Sequence, residues 1–247
     1  MSTVLVAGGT GQVGKPTVNA LRAAGHDVRV LSRQTGSGLT TADLMTGAGV
    51  AEALDGVDVV VHVASSNGKG DIAMSQTLFD ACRVAGVAHI VLISIVGTDA
   101  IPLGFYKHRI EVERRLEASG VPYTIQRATQ FHSFVDMLFS AQRFMPVLFA
   151  PAMSVQPIDV VEVAQKLAEL ADGPASGRAA DIGGPQQLTS VELGRAWARA
   201  KGSRRRVVRV RIPGKTFAAF AAGLNLVDGP PYGHRTFASY LAAKYNS

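Results

Sequence analysis

Val4-Leu5-Val6-Ala7-Gly8-Gly9-Thr10-Gly11-Gln12-Val13-Gly14 decides how the chain is read. An apolar run of strand length ends in a glycine-rich turn, and an amphipathic helical pattern follows it. Gly8, Gly11 and Gly14 stand at G-x-x-G-x-x-G. In such a turn the first glycine permits the sharp bend. The second lets the backbone approach a pyrophosphate, and the third lets the helix pack close to the strand. Main-chain N–H groups across Thr10, Gln12 and Val13, helped by the helix dipole, then face the diphosphate. Glycine triplets also occur as plain turns, but the strand-turn-helix-strand setting is what a dinucleotide site requires.

The residue closing the second strand sets nucleotide preference. A carboxylate there accepts from a ribose 2′-hydroxyl, whereas a cation accommodates a 2′-phosphate. The chain reads Arg29-Val30-Leu31-Ser32-Arg33-Gln34, with no acid at the strand end. Arg33 can hold a phosphate bidentately and Ser32 can donate to it, so NADP(H) is the expected cofactor. Gly36-Ser37-Gly38 is a flexible loop beside that point.

Outward from this unit, apolar strands alternate with amphipathic helices through about residue 130. Strands are predicted at 3–7, 27–31, 57–63, 88–95 and 121–127, and helices at 12–24, 47–54, 73–85 and 105–119. Runs such as Val-Asp-Val-Val-Val-His-Val at 57–63 are almost continuously apolar, as strands covered on both faces must be. The expected fold is α/β: a doubly wound, parallel-sheet Rossmann fold over 1–150, with a small α+β substrate subdomain over 151–247. A Phe/Met-rich segment spans Phe131 to Phe149. Beyond it come a short strand near 153–156, a helix that Asp159 can cap, a strand near 179–182, a helix from Ser190, a basic strand and a C-terminal helix through Phe237 and Leu241.

The net charge of +6 is local. Eight Lys or Arg and no acid lie between Arg195 and Arg211, so the remaining residues sum to −2. Arg204 to Arg211 alternates in its second half like a strand with one solvated face. No aromatic residue within it would stack bases, so no nucleic-acid partner is expected. The single cysteine, Cys82, forms no internal disulfide and reads as a small core residue. No His/Cys/Asp/Glu spacing suits a metal. No apolar run approaches the ~18 residues of a membrane span, and no secretory signal pattern opens the chain. A cytoplasmic protein with no membrane partner is the expectation; a homodimer stays open.

These residues resemble the short-chain dehydrogenase/reductase superfamily, in particular its atypical, NmrA-like NAD(P)H-binding branch of quinone-oxidoreductase type. The resemblance rests on Gly8 to Gly14, Ser32-Arg33, Ala42-Asp43-Leu44 and Val61-His62-Val63-Ala64-Ser65. It extends through Phe105-Tyr106-Lys107-His108-Arg109-Ile110-Glu111 and Ile125-Gln126-Arg127-Ala128-Thr129-Gln130-Phe131. It implies Asp43 and Leu44 at the adenine, Ala64 and Ser65 at the adenosine ribose and diphosphate, and Ala128, Thr129 and Phe131 at the nicotinamide. Catalytic members use Ser with Tyr-x-x-x-Lys, the lysine lowering the tyrosine's pKa.

Here Ser94 falls at the serine, but Phe105 stands at the tyrosine and Arg109 at the lysine. A phenyl ring transfers no proton. Arg109 can still bond a ribose but stays charged. Tyr106 is one residue along, about 100° round a helix, and is the substitute candidate. Ser94, Tyr106 and Arg109 are thus the candidate catalytic residues. His62 and His132 read as structural histidines, and Lys107 and His108 as solvated helix residues.

The expected function is NADPH-dependent reduction of a small, apolar, electron-poor acceptor such as a quinone, with hydride from the cofactor doing the chemistry. The Phe/Met-rich segment suits such a ligand, or is core. A non-catalytic NADP(H)-binding redox sensor is the alternative. A sugar-nucleotide epimerase or dehydratase ranks third, because those activities also rest on the missing tyrosine.

Overall fold

Thr3–Ala7 is extended because four of its five residues are buried apolar side chains flanked on both sides by parallel neighbours. In the computed structural model, which describes residues 1–66 and 68–245, it is β1. Asn67 and the last two positions of the 151–247 segment lie outside the described residues. After β1 come α1 (Gly14–Ala23), β2 (Asp27–Ser32), β3 (Leu39–Thr41), α2 (Val50–Ala53), β4 (Val59–His62), α3 (Gly70–Ala85), β5 (His89–Ile95), α4 (Gly104–Glu117) and β6 (Tyr123–Ala128). Then follow α5 (His132–Ser140), β7 (Leu148–Pro151), β8 (Ser154–Val155), α6 (Val160–Asp172), β9 (Gly177–Arg178), β10 (Leu188–Thr189), α7 (Ser190–Ala200), β11 (Val207–Val210), α8 (Lys215–Ala221) and α9 (Phe237–Tyr245).

Two compact units share the chain. The first comprises Met1–Ser94, Gly104–Arg127 and Val160–Ala180, and the second Ile95–Leu103, Ala128–Asp159 and Asp181–Ser247. They interleave along the sequence, where composition alone suggested one boundary at residue 150. The reason is α6 and β9, which belong with the first unit: α6 packs on α1, and β9 pairs in parallel with β6.

The first unit is a Rossmann-like α/β layer structure around a seven-stranded sheet in the order β3-β2-β1-β4-β5-β6-β9. β1, β2, β4, β5 and β6 match the five predicted strands to within two residues at each end. The edge strand β3 escapes a hydrophobic reading because it is three residues long with no apolar alternation, and the strand expected near 179–182 is found two residues earlier as β9, with Ile182 adding only an isolated bridge to Ala128. Leu5, Val60, Ile90, Leu92 and Ile125 from the sheet meet Leu78, Phe79, Cys82, Val112 and Leu116 from α3 and α4 in one core. Cys82 is buried there, and burial raises its thiol to about 12, which keeps it protonated and inert.

In the second unit, Val135 and Phe139 of α5 pack with Leu148, Leu193, Trp197, Phe237 and Leu241. Part of the Phe/Met-rich segment is therefore core. The buried Asp136 carboxylate accepts from Trp197 Nε1 (2.7 Å), Lys244 Nζ (2.6 Å) and Tyr245 Oη (2.8 Å), tying α5, α7 and α9 together. Asp159 accepts from Arg235 Nη1 at 2.8 Å.

Candidate functional site

β2 and β3 lie on one side of β1, and β4, β5 and β6 on the other. The strand order therefore reverses between β1 and β4, and in open α/β sheets ligands bind outside the carboxyl ends of the strands at such a point. Gly8 ends β1 with φ +88°, and a Cβ on it would lie 2.6 Å from the Ala64 backbone after β4. A Cβ on Gly14 would lie 2.0 Å from the Gly8 carbonyl oxygen. No side chain larger than hydrogen fits at either point. The turn is closed by Gly11 N–H donating to the Gly8 carbonyl at 3.0 Å. Its rim, Thr10, Gly11 and Gln12, is exposed, and α1 begins at Gly14 with no side-chain cap from Val13. The main-chain amides of the turn from Thr10 to Val13, above a glycine cradle at the start of α1, fit a diphosphate.

At the end of β2 the Ser32 hydroxyl accepts from Gln34 N–H at 3.0 Å and retains its own proton for donation. Arg33 is exposed at the same turn. Asp43 forms an Asx turn after β3, its Oδ1 accepting from Met45 N–H at 2.8 Å. Leu44 is buried in the core of the first unit. Ala64 lines the crevice with its backbone. The Ser65 hydroxyl donates to Asp71 Oδ2 at 2.7 Å.

Of the candidate catalytic residues, Ser94 and Arg109 make buried polar contacts. The Ser94 hydroxyl donates to Glu113 Oε1. Glu113 also accepts from Arg127, Nη2 to Oε2 at 2.6 Å and Nε to Oε1 at 2.9 Å. Arg109 donates to the Ile93 carbonyl and faces Asp71 at 3.9 Å. Tyr106 is 4% exposed, on the same buried stripe of α4 as Arg109, Val112, Glu113 and Leu116. Burial and the Glu113 and Asp71 charges act in opposite senses on Arg109, and its pKa is lowered on balance, burial being the larger cause. Burial pushes the Asp71 carboxyl up, but hydrogen bonds from the Ser65 and Ser66 hydroxyls and Ser66 N–H, with Arg109 behind them, hold it below its ordinary value.

Asp71, Glu113 and Arg127 were missed in the sequence. The available signals were an acid in the first turn of the helix after β4, an Arg109/Glu113 pair at i,i+4 on an otherwise apolar stripe, and an arginine inside the strand Ile125-Gln126-Arg127-Ala128.

His62 donates to or accepts from the Ser75 hydroxyl at 2.8 Å and is fully buried. Burial first, and the Arg109 charge second, lower its pKa from 6.5 to about 3. The folded state therefore holds it neutral while the unfolded chain takes a proton below 6.5. Its contribution to stability is whole above that pH and drains as pH falls toward 3, by up to about 1.4 kcal/mol per pH unit. Urea unfolding at several pH values should show this slope. His62→Gln should flatten it, and an unchanged slope in that variant would remove His62 as its source.

In the second unit, Ala128 is buried and its carbonyl accepts from Val96 N–H at 3.1 Å. Thr129 N–H donates to the Ile182 carbonyl at 3.0 Å, and its hydroxyl donates to the Gln156 carbonyl. Phe131, half-buried, stands at the N-cap of α5 in extended conformation. His132 Nε2 meets the Arg235 carbonyl at 2.9 Å, a structural role. Among the described residues no group of three or more His, Cys, Asp or Glu could hold a metal ion, and no helix is long and apolar enough to cross a membrane.

The chain is similar to known proteins in family, sequence and fold. The model of the NmrA-like family matches residues 1–228. A phenylcoumaran benzylic ether reductase of Ginkgo biloba is 26% identical over 186 residues, 66% of this chain and 57% of that protein. An NAD(P)H azoreductase of Xenophilus azovorans is 26% identical over 222 residues, 85% of this chain and 77% of that one. The chain thus spans little more than half the length of the first curated relatives it matches. Among solved structures, the NADPH-dependent quinone oxidoreductase of Escherichia coli complexed with NADPH superposes with a TM-score of 0.84 at 19% identity, covering 98% of this chain and all of that one. At that identity the likeness establishes the fold.

Proposed function

The chain belongs to the NmrA-like family, and from that premise we propose that it binds NADP(H) at the β1–α1 turn and reduces a small, apolar, electron-poor acceptor such as a quinone. The cofactor reading is carried by the glycine cradle, which a Cβ at Gly14 would fill. NADPH, when bound, supplies the hydride.

The chain's own residues bind and orient. The Thr10, Gln12 and Val13 amides hold the diphosphate over the Gly8, Gly11 and Gly14 cradle, and Ser32 and Arg33 the 2′-phosphate. Asp43 and Leu44 belong to the adenine side, and Ala64 and Ser65 to the adenosine ribose and diphosphate. Asp71 keeps Ser65 and Ser66 in place. Arg109 is assigned to the nicotinamide ribose as a positioning residue, and Ala128, Thr129 and Phe131 to the nicotinamide by family resemblance.

What Ser94 does supports this acceptor class. Ser94 is 2% exposed with its hydroxyl committed to Glu113, Arg109 is committed to the Ile93 carbonyl, Tyr106 is 4% exposed in the core-facing stripe of α4, and Phe105 has no proton to give. An acceptor reduced here takes hydride from the cofactor and its proton from water. A quinone does this readily, because the hydroquinone anion left after hydride addition is a stabilised oxyanion.

NADPH oxidation followed at its absorbance with a panel of quinones tests the reading, with saturable turnover expected. Tight NADPH binding without turnover across the panel would overturn the reductase and leave a redox sensor. Arg33→Asp replaces a phosphate-pairing cation with a repelling anion. It should weaken NADPH binding about a hundredfold and NADH binding only a few-fold. Equal effects on both nucleotides would remove Arg33 from the phosphate site.

A further inference from the structure

The basic strand has no part in the dinucleotide reading, and the structure surrounds it with exposed apolar side chains. β11 pairs in parallel with β7, Val208 opposite Phe149. Leu148 and Ala150 face inward with no exposure, and Val207 is half-buried and turned toward Gly194 of α7. Phe149 and Val208 therefore share the outer face, 41% and 39% exposed. The Gln142 side chain bonds both the N–H and the carbonyl of Phe149 and the carbonyl of Leu138. Arg205 Nη1 donates to the Gln142 carbonyl at 2.6 Å. The end of α5 and the loop after it are thus fastened to the β7/β11 edge. They present Met137, Leu138, Met145 and Phe144, the last 83% exposed with the Arg143 guanidinium 4.6 Å from its ring.

Charge selects the occupant. Residues 137–158 and 193–227 contain ten Lys or Arg and no acid. Against a chain total of +6, everything else carries a net −4. A second copy docking this face on itself would set cations against cations across a two-fold axis. A protein partner would need a socket for the protruding Phe144, whereas a bilayer takes a protrusion anywhere.

We propose that this face of the second unit docks onto a lipid surface bearing anionic headgroups, with Phe144 and Met145 entering the acyl boundary and Arg143 and Arg206 pairing with phosphates. Lying on a membrane differs from spanning one. The expectation of no membrane partner rested only on the lack of a spanning run. The proposal does not depend on the reductase reading.

Co-sedimentation of the full chain tests it, using phosphatidylcholine vesicles with and without about three parts in ten phosphatidylglycerol. Binding to the anionic vesicles alone is expected, falling steeply with salt. Phe144→Ser should lower the partition about tenfold, and Arg206→Ser about fivefold. Both side chains are exposed, so calorimetric NADPH binding should be unchanged and reports an intact fold. The proposal is overturned by equal or absent binding to both vesicle types, or by variants that bind like the parent. It is equally overturned by capture of duplex DNA in preference to vesicles, or by a parent dimer in sedimentation that Phe144→Ser dissolves.

Discussion

Gly14→Ala should lose NADPH affinity by about a hundredfold or more, because the new methyl would sit 2.0 Å from the Gly8 carbonyl oxygen. That oxygen belongs to the backbone and is already held by Gly11 N–H, so no side-chain rotation relieves the clash. Either α1 moves off β1 or the turn opens, and both displace the amides meant for the diphosphate. Overpacking against backbone also costs about 1–3 kcal/mol of stability or more.

A second variant keeps the result interpretable if Gly14→Ala folds poorly. At Gly11 the added methyl would stand 3.2 Å from the same oxygen, a contact that a small shift accommodates, and the position is exposed. Gly11→Ala should therefore keep thermal stability within about 1 kcal/mol yet still lose affinity, since it lies where the pyrophosphate would approach. Binding within threefold of the parent in both variants, by calorimetric titration, would contradict the phosphate assignment.

Glu113→Ala should destabilise the fold by about 3–5 kcal/mol, on the order of a 10 °C fall in Tm. Arg127 is 2% exposed and donates two hydrogen bonds to that carboxylate. Removing the acid leaves a guanidinium charge in the core and Ser94 without its acceptor. Replacing the pair by apolar residues, Glu113→Leu with Arg127→Met, should recover most of the loss, because no buried charge remains uncompensated. Thermal unfolding of both variants checks this. A loss below about 1 kcal/mol in the single variant would show that the pair is solvated in solution.

Most of the first unit was legible because its signals are local. The run Val4–Ala7, the glycine spacing and the nearly continuous apolar strands each report a buried parallel sheet without reference to distant residues. β3 was not, since three residues without a pattern pair only because a neighbouring edge is available, and for the same reason the bounds of β9 were displaced. Helix α5 was read as an undivided Phe/Met-rich stretch. Its inward positions Val135 and Phe139 and outward positions Phe134, Met137 and Leu138 are all apolar, so no amphipathic period stands out. Of the candidate site, the glycine turn and the position of Arg33 at the end of β2 were legible, each lying within one short stretch of sequence. The Ser94–Glu113–Arg127 and Ser65–Asp71–Arg109 groupings were not. They join charges from separate strands and helices, and only the tertiary fold shows that the partners cancel.

The most direct measurement is calorimetric titration of the purified protein with NADPH and, separately, NADH. One nucleotide per chain is expected, with NADPH at least about tenfold tighter, a difference of about 1.4 kcal/mol. Absence of binding heat from both at about millimolar concentration would contradict a dinucleotide site at the β1–α1 turn.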